Sequence, residues 1–212
     1  DESTNISGQD ALLMLQSAQR TLQAAGDFEG AEMFERLLCD PGFCINVFIT
    51  DDPTVAPLYN VVTNTLILVS TLGASTENSA ISPLVGFVHE LSHGLDFNIF
   101  PAMFFKTSVY SLDNDYDSRQ EERAIAAETR AARALGQLID PTKPTRIDSE
   151  GTLQIVPNFL TVPSRLVPQA NGSKGKNDDT GIGRKHHTSR GVYSDPKKLE
   201  ALKLDVSRGD KK

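Results

Sequence analysis

The sequence predicts an α+β fold in which a small β-sheet lies among helices. Three observations predict it. Apolar residues recur at helical spacing through residues 9–38 and again after Ser82 and after Ser118. Between the first and second of these stretches lie two runs rich in β-branched and aromatic residues, 44–50 and 65–70. Glycine, proline and Asp-rich punctuation falls at the joints.

Each element follows from its residues. Residues 9–38 read as helix, with Leu12, Leu13, Leu15, Leu22, Phe34, Leu37 and Leu38 as core candidates and Gly26 breaking it in two. Pro41-Gly42 makes a turn, and the strand 44–50 ends at Asp51-Asp52-Pro53. The run 65–70 is a second strand, and 73–79 reads as a polar loop. Ser82-Pro83 suits a helix start, since proline lacks the N–H that a first turn leaves unpaired. Beyond it Leu84, Val88, Leu91 and Leu95 form one narrow stripe at about 100° per residue. Phe97, Phe100, Phe104 and Phe105 read as core or as a wall beside the site, interrupted by Pro101. An alanine-rich helix follows from Ser118 to Gly136.

Within the Ser82 helix the chain reads His89-Glu90-Leu91-Ser92-His93. Positions i and i+4 share a helix face, so both imidazoles can point at one metal ion. Glu90 projects beside it, where a carboxylate can take a proton from an attacking water. This is the H-E-x-x-H arrangement of zinc peptidases. Both histidines lie off the apolar stripe, by about 140° and 180°, which disfavours a role as packed core residues. Gly86 falls between them one turn earlier, where leaving room beside a metal would offset its poor helix propensity.

A catalytic zinc needs a third protein ligand. Position 99 is isoleucine, so the longer H-E-x-x-H-x-x-G-x-x-H pattern is absent. Asp96 is about 60° from His93 and is better placed as a supporting group. On the helix after Ser118, Glu121, Ala124, Ile125, Glu128, Ala132 and Leu135 share a stripe. A buried unpaired carboxylate is costly, and a cation facing the stripe would remove that cost. Glu121 and Glu128 are roughly 10.5 Å apart along the axis, so only one can be the ligand. Glu121 is ranked first and Glu128 is the alternative. Ser118-x-x-Glu121 is also a capping box, which would give Glu121 a purely local role. Glu122, about 100° off the stripe, faces solvent. Tyr110, Tyr116, Arg146 and Tyr193 are candidate donors to a developing oxyanion.

A charge of −7 hides an asymmetry: residues 171–212 hold 11 Lys or Arg against 6 Asp or Glu, and the rest 10 against 22. An acidic body argues against nucleic acid as the main partner, while the basic tail is a possible partner contact. No apolar run is long enough to span a membrane, and no signal peptide is visible. Cys39 and Cys44 flank the Pro-Gly turn, either as reduced thiols or as a short-loop disulfide. The division expected is a catalytic domain over 1–156 and an extended, flexible basic segment over 157–212, with linker composition at 169–183 and a solvent-exposed His186-His187.

His89-Glu90-Leu91-Ser92-His93-Gly94, followed by Glu121-x-x-Ala124-Ile125-x-x-Glu128, resembles the NleD-like effector metallopeptidases and related zinc peptidase toxins secreted by bacteria. The similarity spans roughly residues 9–150. It implies a zincin-like domain with a small sheet beside the H-E-x-x-H helix, Glu121 on the second ligand-bearing helix, and an effector delivered into a target cell. Gly94 stands where that family commonly has alanine, and Thr129 where asparagine often follows the second glutamate. In zinc peptidases an edge strand holds the substrate backbone, and residues 61–71 are the candidate for it. The function expected is a zinc endopeptidase acting on a protein or peptide. The alternative is an inactive zinc-binding module that docks on a partner.

Overall fold

The computed structural model describes residues 6–109, 118–146 and 151–164. Helices α1 (Gly8–Ala25) and α2 (Phe28–Cys39) form an antiparallel pair. Gly26 joins them in the left-handed region at φ 89°, a conformation that favours glycine, and Asp27 caps α2 by accepting from Gly30 N at 3.0 Å. The expected break is therefore where it was placed. Asp27 also receives Arg130 Nε at 2.7 Å, which ties this hairpin to the later helix that carries Glu121 and Glu128.

Strands β1 (Asn46–Thr50), β2 (Leu58–Asn60) and β3 (Thr65–Val69) make one sheet in the order β1-β3-β2. β1 runs parallel to β3 with Asn46 opposite Thr65, and β2 pairs antiparallel with Tyr59 opposite Leu66. The β2–β3 turn closes at Asn64, φ 48°, which asparagine tolerates. A second sheet has the order β5-β4-β6, from β4 (Leu72–Ser75), β5 (Ala80–Ile81) and β6 (Thr152–Ile155). The stretch 73–79, expected to be a polar loop, thus carries most of β4. Its small and polar residues hid a strand whose Gly73 lets the backbone of Ile81 approach, since a Cβ there would lie 2.8 Å from Ile81 O.

The candidate substrate strand, 61–71, is also corrected. β3 is the central strand of its sheet and is hydrogen-bonded along both edges, so it has no edge to offer.

Helix α3 (Pro83–Ile99) runs through the middle of the molecule, followed by α4 (Pro101–Val109) and α5 (Arg119–Ala134). It is buried nearly all round: Leu84, Val88, Leu91 and Leu95 join Phe34, Leu22 and Leu68 in the core. Phe97, Phe104 and Phe105 pack edge to face at 5.5–6.0 Å, settling them as core, whereas Phe100 is exposed. Residues 157–164, expected to begin the extended segment, lie against the body: Phe159 stacks on Phe87 and its carbonyl accepts from Leu84 N. Among the described residues no helix is long and apolar enough to cross a membrane. Cys39 and Cys44 are free and exposed thiols.

Candidate metal centre

The site is built where α3 crosses α5. Ser82 and Pro83 start α3 as expected, but the Ser82 hydroxyl does not cap the helix. It accepts from Gln137 Nε2 at 3.0 Å, while Gln137 Oε1 accepts from Ser82 N at 2.8 Å. This reciprocal pair fixes the start of α3, and so the phase at which His89, Glu90 and His93 leave it. On α5, Ser118 Oγ accepts from Glu121 N at 3.1 Å, which is half of the capping box. The Glu121 carboxylate does not complete the box and turns instead to the histidines.

His89 Nε2 lies 3.3 Å from His93 Nε2 and 3.4 Å from Glu121 Oε1, and His93 Nε2 lies 3.4 Å from Glu121 Oε2. A tetrahedral ion with ligands at about 2.0–2.2 Å needs ligand atoms roughly 3.3–3.6 Å apart. These three side chains fit that spacing and together can hold a metal ion. Glu121 Oε1 is buried and has no hydrogen-bond partner among the described residues. That oxygen lies 3.4 Å from His89 Nε2 in a buried site, an arrangement that a positive charge between them would satisfy.

Glu128, the alternative ligand, takes a different place. Its Oε2 lies 2.9 Å from His89 Nδ1 and 2.8 Å from an Arg146 guanidinium nitrogen. The carboxylate holds the proton on Nδ1, which leaves the lone pair of Nε2 facing His93 and Glu121. Burial favours neutral Glu128, but Arg146 and His89 outweigh it and hold its pKa down to about 2. Arg146, expected among oxyanion donors, is thus committed to Glu128 behind His89. It was brought there by a segment that no local pattern marks: Asn78 holds Asp140 O and Pro144 O, and Thr145 N donates to Thr129 Oγ1.

Glu90 is buried beside His89, and its Oε2 accepts from Tyr59 N at 2.9 Å. The outer edge of β2 thus anchors the carboxylate, a long-range contact that no local pattern of residues marks. The ring of Tyr59 packs over Gly94, with its hydroxyl donating to Asn64 Oδ1 at 2.6 Å. A Cβ at 94 would lie 3.0 Å from Ile45 Cδ1, so glycine allows the sheet to come this close to α3. Asp96 stands outside the cluster, paired with Arg123 at 3.1 Å, and its pKa is raised by burial. Glu122 is exposed, as expected. Tyr110, Tyr116, Tyr193, the histidines at 186 and 187 and the basic tail lie outside the described residues.

Burial lowers the pKa of His89, but Glu121 and Glu128 overcome this and raise it above the ordinary 6.5. Burial raises the Glu121 pKa, but His89, His93 and Arg146 outweigh it and hold it well below the usual carboxylate range. In the metal-free chain a raised His89 pKa adds stability that is complete below 6.5 and lost as pH rises through the folded value. Metal binding has the opposite dependence, because it requires neutral imidazoles. The Tm gap between metal-loaded and chelator-treated chain should therefore be wide near pH 8 and narrow towards pH 6. Thermal melts with and without EDTA across that range check it, and a gap independent of pH would remove the imidazoles from the metal site.

Comparison with family models, with curated proteins and with solved structures finds no match.

Proposed function

We propose that this chain is a zinc-dependent endopeptidase with a zincin-like domain. The observation that carries the reading is the His89, His93 and Glu121 triangle, with ligand atoms at 3.3–3.4 Å and the Glu90 carboxylate one residue from the first histidine. Two imidazoles and one carboxylate are a donor set that zinc accepts at catalytic sites, leaving a fourth position open. Zinc held there would polarise a scissile carbonyl and lower the pKa of water to about 7.

The protein's own residues do the rest. Tyr59 N–H fixes one oxygen of Glu90, so the carboxylate needs little reorganisation before it takes the proton of the attacking water. The same carboxyl then delivers that proton to the leaving amine. Glu128 and Arg146 hold the His89 ring in the ligating tautomer. The resemblance to the NleD-like effectors extends the proposal to a secreted protein that acts on a protein of a target cell.

The test is a peptide-library digest with the zinc-loaded chain, read by mass spectrometry, alongside metal analysis. Cleavage that stops with EDTA and returns with zinc is the result expected. One zinc per chain with no cleavage of any library peptide would overturn the peptidase reading in favour of a zinc-binding interaction module.

A further inference from the structure

Glu90, Gly94 and Asn98 follow one another at intervals of four along α3, so they share one side of the helix over about 12 Å. Tyr59 of β2 lies along that side. Its backbone N–H donates to Glu90 Oε2 at 2.9 Å, its ring reaches the Gly94 position, and its hydroxyl donates to Asn64 Oδ1 at 2.6 Å. Asn98 Nδ2 donates to the same Asn64 oxygen at 3.0 Å and to Gly94 O at 2.8 Å. Asn64 Nδ2 in turn donates to Cys44 O at 2.6 Å, just ahead of β1.

The orientation of both side-chain amides follows from what they face. Gly94 O and Cys44 O can only accept, so each NH₂ points at a backbone carbonyl. Asn64 Oδ1 is then the acceptor, and the Tyr59 hydroxyl is the donor. Asn64 also carries the turn between β2 and β3 at φ 48°, and its backbone carbonyl accepts from Asn46 N at 2.9 Å. One residue thus joins the start of β1, the β2–β3 turn and the last turns of α3.

The contact of β2 with α3 combines two kinds of interaction. The Tyr59 ring, against Gly94 and with its centroid 6.0 Å from that of Phe97, is apolar packing, which is non-directional. The hydrogen bonds of Asn64 and Asn98 are directional and weaken steeply with distance and angle. A slide of β2 along α3 would break them and would carry Tyr59 N–H away from Glu90. A misplacement of about 1 Å can cost on the order of a hundredfold in rate. We propose that Asn64 and Asn98 are positioning residues: they set the register of β2 on α3 and so hold Tyr59 N–H against the Glu90 carboxylate from two turns away. This rests on the peptidase reading for its effect on turnover, but not for its effect on the contact between Tyr59 and Glu90.

The experiment has two arms on the full zinc-loaded chain, with two variants that break the network by different routes. Asn98→Ala removes the donors to Gly94 O and Asn64, and Asn64→Gly removes the other amide at a backbone conformation that glycine adopts freely. In the first arm amide hydrogen exchange is followed at Tyr59 and, as a control, at Ser70, whose N–H donates to Thr50 O at 2.8 Å. Exchange at Tyr59 should quicken at least about tenfold in both variants, towards the level of Glu90→Ala, with Ser70 unchanged. An unchanged Tyr59, or an equal rise at Ser70, would overturn the proposal. In the second arm both variants should lose roughly ten- to a hundredfold in kcat, with KM and zinc content as in wild type. In a Glu90→Asp background, where the shorter carboxylate no longer reaches Tyr59 N–H, Asn98→Ala should cost less than about twofold more, because both changes act through one contact. Equal losses in the two backgrounds, or loss of zinc, would show general support of the fold or of the metal and would sink the positioning role. If the Tyr59 amide responds as expected and no peptide is cut by any form of the chain, the register device stands and only the peptidase reading falls.

Discussion

Glu90→Gln should hold about one zinc per chain and lose peptide hydrolysis by at least a factor of about 10²–10⁴, the usual contribution of a positioned acid–base group. Glutamine keeps the size of the side chain, and its amide group can still accept from Tyr59 N–H, the contact that Glu90 Oε2 makes at 2.9 Å. The change therefore removes proton transfer with little disturbance of packing in a buried position. Metal content by mass spectrometry and turnover on the best library peptide are the two readings required. Turnover close to wild type would take Glu90 out of the mechanism, and loss of zinc would make it a ligand.

The second large effect separates three glutamates on one helix. Glu121→Ala should weaken zinc binding by about two to three powers of ten, since roughly 10–16 kcal/mol of binding shared among four ligands gives about 2.5–4 kcal/mol for each. Glu122→Ala should scarcely change it, because that residue is exposed. Glu128→Gln should lie between, at about 10–100-fold, the range for groups that orient a ligand without touching the metal. The order Glu121, Glu128, Glu122 is the content of the prediction. If Glu128→Gln proved the most damaging, the ligand and the orienting carboxylate would have to be exchanged.

That ordering also marks how far the sequence reached. The spacing of His89 and His93 and the stripe on α5 were legible because helical periodicity alone puts these side chains on facing surfaces. The breaks at Gly26 and at Phe100-Pro101 were legible from backbone chemistry. The part that strands play was not. Leu58-Tyr59-Asn60 has no alternation to declare it, and it becomes a strand only because Leu66 lies opposite Tyr59 in β3. Gly73 and Ala74 read as loop, and their strand character comes from close approach to β5 and β6. Arg146 was visible as a charge, but its attachment to Glu128 depends on Asn78 and Thr129, distant residues that hold its segment in place. Long-range hydrogen bonds of this kind leave no local periodic trace.

The metal centre itself is tested most directly by X-ray absorption at the zinc edge, on chain loaded with one equivalent of zinc. Two imidazole scatterers and oxygen at about 2.0–2.2 Å, with no sulfur, are predicted, with the imidazole signal reduced in His93→Ala and the oxygen count lowered in Glu121→Ala. A zinc–sulfur distance of about 2.3 Å would place the metal on the exposed thiols of Cys39 and Cys44 and contradict the site on α3 and α5.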